Sequence, residues 1–177
     1  LNRFPRVVRD LSRELGKEIQ LLISGKEVEI DRTILEGLSD PLTHMVRNAV
    51  DHGIETPAAR QQAGKNPAGN VEIRVFHEAG QVVVEIQDDG KGLDVARIAA
   101  KAVEKGLLTP DQVRAMSAKE QMALIFLPGL STADKVSNLS GRGVGMDVVR
   151  TNIEKLGGTV DIESELGRGS VFRIKLP

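Results

Sequence analysis

The chain has 177 residues, with 24 Lys and Arg against 25 Asp and Glu, so its formal charge is −1. At this length one domain built on a single core is expected. Cys, Trp and Tyr are absent and four Phe supply all the aromatic rings, which excludes disulfides, thiolate zinc sites and cysteine nucleophiles. Four rings are too few for the stacking platforms of single-strand nucleic-acid binders, and the balanced charge lacks a basic footprint, so no nucleic-acid partner is expected. The longest apolar run, Ala123 to Leu127, is far short of the ~20 residues that cross a bilayer, so no membrane insertion is expected. No leader is visible and the first residue is Leu1 rather than Met. The expectation is a soluble, cytoplasmic domain cut from a larger protein.

Phe4, Val7, Val8, Leu11 and Leu15 recur at helical spacing up to Gly16, which predicts a first helix with a glycine stop. Two short strands, 18–23 and 27–30, are expected around Ser24-Gly25-Lys26. Asp31 is read as the cap of a helix over 32–39, and Asp40-Pro41 as the start of a second helix reaching about His52 and ending at Gly53. Thr56-Pro57 opens a short helix to about Ala63. Val71–His77 and Val82–Gln87 read as a hairpin joined by Glu78-Ala79-Gly80. A helix follows Asp94, with weaker helical stretches over about 110–126. Residues 127–145 show little periodicity, and helix resumes over about 144–156. Thr159–Glu163 and Ser170–Leu176 form a closing hairpin. The fold class is α+β: a two-layer sandwich with a mixed, mostly antiparallel sheet and its helices on one face.

Three groups of residues carry chemistry. His44, Asn48, Asp51 and His52 share one helical face, with Arg47 beside them. A solvated polar face is the plain reading. However, the apolar stripe of this helix is already supplied by Leu42, Met45, Val46, Ala49 and Val50, and an Asn carbonyl suits Mg²⁺ sharing its shell with phosphates. Asp88-Asp89-Gly90-Lys91-Gly92 follows a strand. It reads equally as a tight turn or as a carboxylate placed to accept bonds from an exocyclic amine. Gly141-Arg142-Gly143-Val144-Gly145 precedes a helix. It reads as a hinge, or as backbone N–H groups that cradle an anion. No Gly-Lys-Ser/Thr follows, so it is not a Walker loop. Together the groups offer a metal-ligating amide, a carboxylate for a base and donors for phosphates.

The order His-x-x-x-Asn, Asp-x-Gly-x-Gly, a Phe-containing stretch and Gly-x-Gly-x-Gly resembles the N, G1, F and G2 boxes of the Bergerat-fold (GHKL) ATPases and kinases. Within them the chain is most similar to the CheA family of chemotaxis histidine kinases. The stretches 40–55, 125–132 and 140–149 carry that resemblance, which extends from Phe4 to Pro177.

The resemblance implies a single ATP-binding catalytic domain over 1–177. Asn48 would ligate Mg²⁺, His44 and His52 would lie near the triphosphate of ATP, and Asp88 would accept the adenine amino group. Gly90 and Gly92 would pass close to the nucleotide, and Arg97 and Lys101 would contact phosphates. Residues 127–145 would form an ATP lid bearing Phe126 at its base, Ser131, Thr132 and the run Gly141, Arg142, Gly143, Val144 and Gly145, with Met146 just beyond. Arg47 and Asp51 would belong to the same nucleotide site. Ser170, where the family usually has Thr, would keep a hydroxyl beside Asp88. Partners would be a histidine phosphotransfer domain and, through further domains, a dimer partner, a coupling protein, chemoreceptors and a response regulator. Related ATPases of the gyrase type carry a Glu four residues before the metal-binding Asn. Here that position is His44, which favours a kinase over a hydrolase.

Overall fold

A computed structural model of the chain describes residues 3–130 and 145–177. Five strands order β1-β2-β3-β5-β4 in one sheet: β1 (Ile19–Ser24), β2 (Gly69–Glu78), β3 (Gln81–Asp88), β4 (Thr159–Glu165) and β5 (Gly169–Leu176). β1 and β2 run parallel, and every other pair is antiparallel. The hairpin expected between β2 and β3 turns on Ala79 and Gly80, both at positive φ (50° and 76°), the geometry whose twist matches paired strands.

Register fixes the faces. Val71, Ile73 and Val75 of β2 stand beside Asp88, Ile86 and Val84 of β3, which stand beside Ser170, Phe172 and Ile174 of β5. The apolar members of this face pack against α1 (Phe4–Leu15), α2 (Arg32–Asn48) and α7 (Met146–Lys155), through Val8, Leu11, Leu38, Met45, Val149 and Ile153. The row of hydrocarbon thus ends, at the C-terminal end of β3, in the carboxyl of Asp88. The opposite face carries an ionic row: Arg74 Nη1 and Arg173 Nε donate to Glu85 at 2.8 and 2.7 Å, and Arg173 Nη1 lies 3.4 Å from Glu163.

Two expectations are corrected. Residues 27–30 form no strand; the chain turns at Gly25 (φ 83°) and Val28 N–H closes onto the Gly25 carbonyl at 3.0 Å. Val28 and Ile30 do pack against the core, so their alternation reflects burial without sheet pairing. Asp40-Pro41 starts no new helix either. Asp31 caps a continuous α2, its carboxylate accepting Thr33 N–H at 2.9 Å and Ile34 N–H at 3.4 Å, and Pro41 lies inside it. The proline forfeits one backbone bond, to the Gly37 carbonyl. Burial of Leu38, Pro41, Leu42, Met45 and Val46 outweighs that loss.

The remaining helices are α3 (Pro57–Gln62), α4 (Val95–Glu104), α5 (Pro110–Ala115) and α6 (Ala118–Met122), the last followed by a 3₁₀ turn at Ala123–Phe126. These resolve the weakly helical stretch over 110–126 into short capped pieces: Thr109 and Ser117 each form a capping box. No helix among the described residues is long and apolar enough to cross a membrane.

Candidate functional site

α2 does not end as an α-helix. Residues Ala49–Gly53 continue it as a π-turn, closed by Ile54 N–H donating to the Ala49 carbonyl at 2.8 Å. Such insertions cluster at functional positions because they re-aim the side chains that follow. The carbonyls of Val50 and Asp51 accept hydrogen bonds from the Lys17 ammonium at 2.8 and 2.6 Å. Burial lowers the pKa of Lys17, against the opposing pull of Asp51. Lys17 was not among the residues singled out from the sequence.

On α2, Asn48 Nδ2 donates to Met146 Sδ at 3.4 Å, so the amide faces the first turn of α7. Among the described residues its carbonyl oxygen has no hydrogen-bond donor. α7 starts after Gly145, which has no side chain to cap it, so among the described residues its first N–H groups have no side-chain acceptor. His44 stands one turn before Asn48. Burial, then the positive Arg47 and His52, lower its pKa below the ordinary imidazole value, which keeps it neutral at pH 7. Arg47 Nε is buried without a hydrogen-bond partner among the described residues. His52 Nε2 lies 3.5 Å from Asp51 Oδ2 at the surface. A cleft of about 420 Å³ reaches His44 and Arg47 between α1 and α7, with Arg3, Thr43, Val148 and Asn152 on its walls.

The second cluster is the loop after β3. Asp88 is 6% exposed, and burial pushes its carboxyl up to about 6, with Asp89 and Glu55 adding to the rise and the N–H groups of Gly90 and Ser170 opposing it. Gly90 N–H donates to Asp88 Oδ1 at 3.0 Å. No cation pairs with this carboxylate among the described residues. A Cβ on Gly90 would collide with the Gly53 carbonyl, and one on Gly92 (φ 73°) with the Glu165 carbonyl. Gly53 also accepts Lys91 N–H at 2.9 Å. Both glycines are therefore required by the chain's own backbone. Ser170 stands directly opposite Asp88 on β5, and its hydroxyl lies 2.8 Å from Ser164 Oγ.

The π-turn thus joins the two clusters: Asn48 and His52 flank its start and end, and Gly53 touches the Asp88 loop. Other sequence-selected residues lie apart. Phe126 is 5% exposed within the core, with the Arg150 guanidinium 5.6 Å over its ring. Arg97 and Lys101 are exposed on α4, and among the described residues neither side chain is hydrogen-bonded. Ser131, Thr132, Gly141, Arg142, Gly143 and Val144, and with them most of the expected lid, lie outside the described residues.

Sequence reasoning also passed over Glu55, Arg60 and Lys65. Arg60 is 2% exposed and binds Glu55 Oε1 at 3.0 Å and Asp89 Oδ2 at 3.2 Å. Lys65 Nζ donates to Glu55 Oε2 at 2.8 Å. Charged residues on a short helix and a turn carry no sequence signal of burial.

No group of three His, Asp or Glu is placed to hold a metal among the described residues. A single Asn amide oxygen, with no donor bonded to it among the described residues, fits a Mg²⁺ that takes most of its ligands from water and phosphate. It does not fit a metal held by protein alone.

Residues 37–177 match the family of histidine kinase-, DNA gyrase B- and HSP90-like ATPases. The chain belongs to this family. Within it, the chain is 52% identical over 176 residues to the sensor histidine kinase CheAY of Helicobacter pylori, and 47% identical over 176 residues to the chemotaxis protein CheA of Bacillus subtilis. Each match takes in 99% of the chain but only 22% and 26% of those proteins, so the chain spans about a quarter of the relatives' length. Among solved structures, full-length ShkA in complex with AMPPNP is 21% identical at a TM-score of 0.55, over 99% of this chain and 29% of that one. The mycobacterial sensor histidine kinase MprB is 16% identical at 0.51, over 99% and 92%. These likenesses carry the fold: an α+β sandwich of the histidine kinase ATPase type.

Proposed function

We propose that the chain is the catalytic domain of a chemotaxis histidine kinase, binding Mg-ATP and passing its γ-phosphoryl group to a histidine on a separate phosphotransfer domain. The observation that carries this reading is Asp88: a buried carboxylate that no cation pairs with among the described residues, with Gly90 N–H donating to Oδ1 and no hydrogen bond reaching Oδ2 among them. Such a group is costly to bury unless a ligand brings a donor, and an adenine amino group is one.

Asn48, whose side-chain oxygen accepts no hydrogen bond among the described residues, would hold Mg²⁺. The metal supplies charge neutralisation to the phosphates. The N–H groups at Gly145 and Met146, to which no side chain bonds among the described residues, suit an anion, since a helix start carries positive partial charge. Arg97 and Lys101, exposed and unpaired, are available to phosphate oxygens, as are His52 and Arg47. Neutral His44 can donate one hydrogen bond without acting as a strong base. Gly90, Gly92 and Ser170 build the floor under the base; Phe126 supports the site through the core. Ser131, Thr132, Gly141, Arg142, Gly143 and Val144 belong to this reading by resemblance alone.

In the transfer, the bond from the γ-phosphorus to the bridging oxygen breaks as a P–N bond forms to the acceptor imidazole. ADP leaves and the imidazole loses one proton. Positioning and charge neutralisation do most of this work. His44 stands where a water-activating Glu would serve a hydrolase, which favours a protein acceptor over water. In the whole protein we assign a response regulator as the next phosphate acceptor. A dimer partner, a coupling protein and chemoreceptors would act through further domains in the cytoplasm.

The test combines the chain with labelled ATP, Mg²⁺ and a separately purified phosphotransfer domain. Acid-labile phosphate on the acceptor is expected, falling by more than about 100-fold with Asn48→Ala, on the scale of losing a key electrostatic group. Phosphate release without labelling of the acceptor would overturn the kinase reading.

A further inference from the structure

The side chains behind the Asp88 loop form a clamp that no nucleotide would touch. Arg60 sits on α3 and is fully buried, with four hydrogen bonds to three partners. Its Nε donates to the Asn66 carbonyl at 2.6 Å, and its Nη1 to Glu55 Oε1 at 3.0 Å and to the Asp89 carbonyl at 3.1 Å. Its Nη2 donates to Asp89 Oδ2 at 3.2 Å. Lys65 approaches from the next turn. Its ammonium donates to the carbonyls of Asp89 and Gly90 at 3.2 and 2.8 Å, and to Glu55 at 2.8 Å. Asp89 is tied down on its other side by Asn70, whose N–H and Nδ2 donate to its carboxylate at 2.8 and 3.0 Å.

The two cations therefore hold the carbonyls of both residues that follow Asp88. With those oxygens turned back toward α3 and the 64–69 turn, the Gly90 N–H faces Asp88 Oδ1. Oδ1 is then occupied, while no hydrogen bond reaches Oδ2 among the described residues. A buried cation pair doing nothing but stabilising the fold would be weak evidence of purpose, since well-packed apolar residues often serve as well. Here, however, both cations converge on backbone oxygens within one loop, the loop whose shape decides which oxygen of Asp88 is free.

We propose that Arg60 and Lys65 are positioning residues that fix the open oxygen of Asp88 against the purine and so set a preference for the 6-amino over the 6-oxo group. The inference rests on the nucleotide reading above and names what selects the base. An adenine amino group donates to that oxygen, whereas the 6-oxo group of inosine triphosphate presents lone pairs to it. A site built to bond one group rejects the other strongly only while its geometry is held. Glu55 pairs with both cations from behind, and Asp89 adds a second carboxylate to Arg60. The carboxyl of Glu55 is raised by burial but lowered more by the Lys65 bond and the Arg60 charge, and so lies below the ordinary range.

Calorimetric titration of the chain with three triphosphates tests this: ATP, inosine triphosphate and purine riboside triphosphate, which lacks any 6-substituent. Wild type should prefer ATP over inosine triphosphate by about 100-fold or more. Lys65→Met, at a partly exposed position, should narrow that ratio by about 10-fold. It should change affinity for purine riboside triphosphate by less than about 3-fold, and Lys65→Arg should restore most of the ratio. Arg60→Lys should act in the same direction; should it fail to fold, the Lys65 pair decides. Equal weakening of all three ligands by Lys65→Met would reduce the clamp to a structural role and overturn the proposal. A wild-type chain that bound none of the three would overturn the nucleotide reading itself.

Discussion

The carbonyl oxygen of Gly53 accepts the Lys91 N–H at 2.9 Å and lies where a side chain on Gly90 would have to stand. This one contact couples the end of the π-turn to the loop that carries Asp88. It makes the glycine at position 90 a condition of joining the two halves of the site.

Gly90→Ala therefore forces Gly53 and Lys91 apart, because backbone, unlike a flexible side chain, cannot swing aside. We expect a loss of about 2 kcal/mol or more, seen as a fall of several degrees in the thermal midpoint. Nucleotide affinity should fall further than the residual folding explains. An unchanged midpoint would show that the loop relaxes freely and that the coupling is weak.

Asp88 gives a pH dependence with a definite sign. Its folded pKa, about 6, lies above the ordinary aspartate value of 3.8, so the folded state binds more protons between those values. The contribution of Asp88 to stability is then most favourable at low pH and declines as pH rises from about 4 through 6, as linkage requires. Asp88→Asn keeps an acceptor for Gly90 N–H but removes the charge. We expect it to stabilise the chain at pH 8 by on the order of 2 kcal/mol and hardly at all at pH 4. Urea unfolding of both proteins at the two pH values reads this directly. Adenine recognition needs the ionised carboxylate, so wild-type affinity for ATP should weaken as pH drops below about 6, and Asp88→Asn should bind poorly throughout.

Lys17→Met removes the donor from two carbonyls at the π-turn while preserving an unbranched chain of similar reach. Hydrogen bonds from a charged donor are worth about 1.5–3 kcal/mol, and this one is partly exposed, so about 1–2 kcal/mol is expected. Amide exchange at Ile54, whose N–H closes the π-turn, should accelerate more than exchange in β3. Equal protection of Ile54 in the variant would mean the turn holds its shape without the cap.

Much of this architecture could be read from residue types because the deciding physics was local. Gly16 at φ 65° ends α1, and Ala79-Gly80 turns the hairpin. Thr56 caps α3 through Ala59 N–H at 3.3 Å. Local signals misled where a distant neighbour decided. Asp40-Pro41 has the form of a helix start, yet α2 runs through it because Gly37, Pro41 and their neighbours pack tightly under Leu156 and the core. The site divided in the same way. Asn48, Asp88 and their glycines stand in recognisable spacings. Lys17, Glu55, Arg60 and Lys65 are ordinary charges whose meaning lies only in what they touch.

The strand order has a consequence for how the site comes into being. Asp88 ends a β2–β3 hairpin joined by a two-residue turn, a unit of local contacts that closes on the microsecond scale. Asn48 and the π-turn lie inside the crossover between β1 and β2, whose parallel pairing must first overcome the closure entropy of a long loop. Refolding should thus assemble the carboxylate end of the site first and the amide end last, an order that pulsed amide exchange would resolve. A chain caught midway would already display the loop proposed to recognise the base, with nothing yet in place to meet a phosphate.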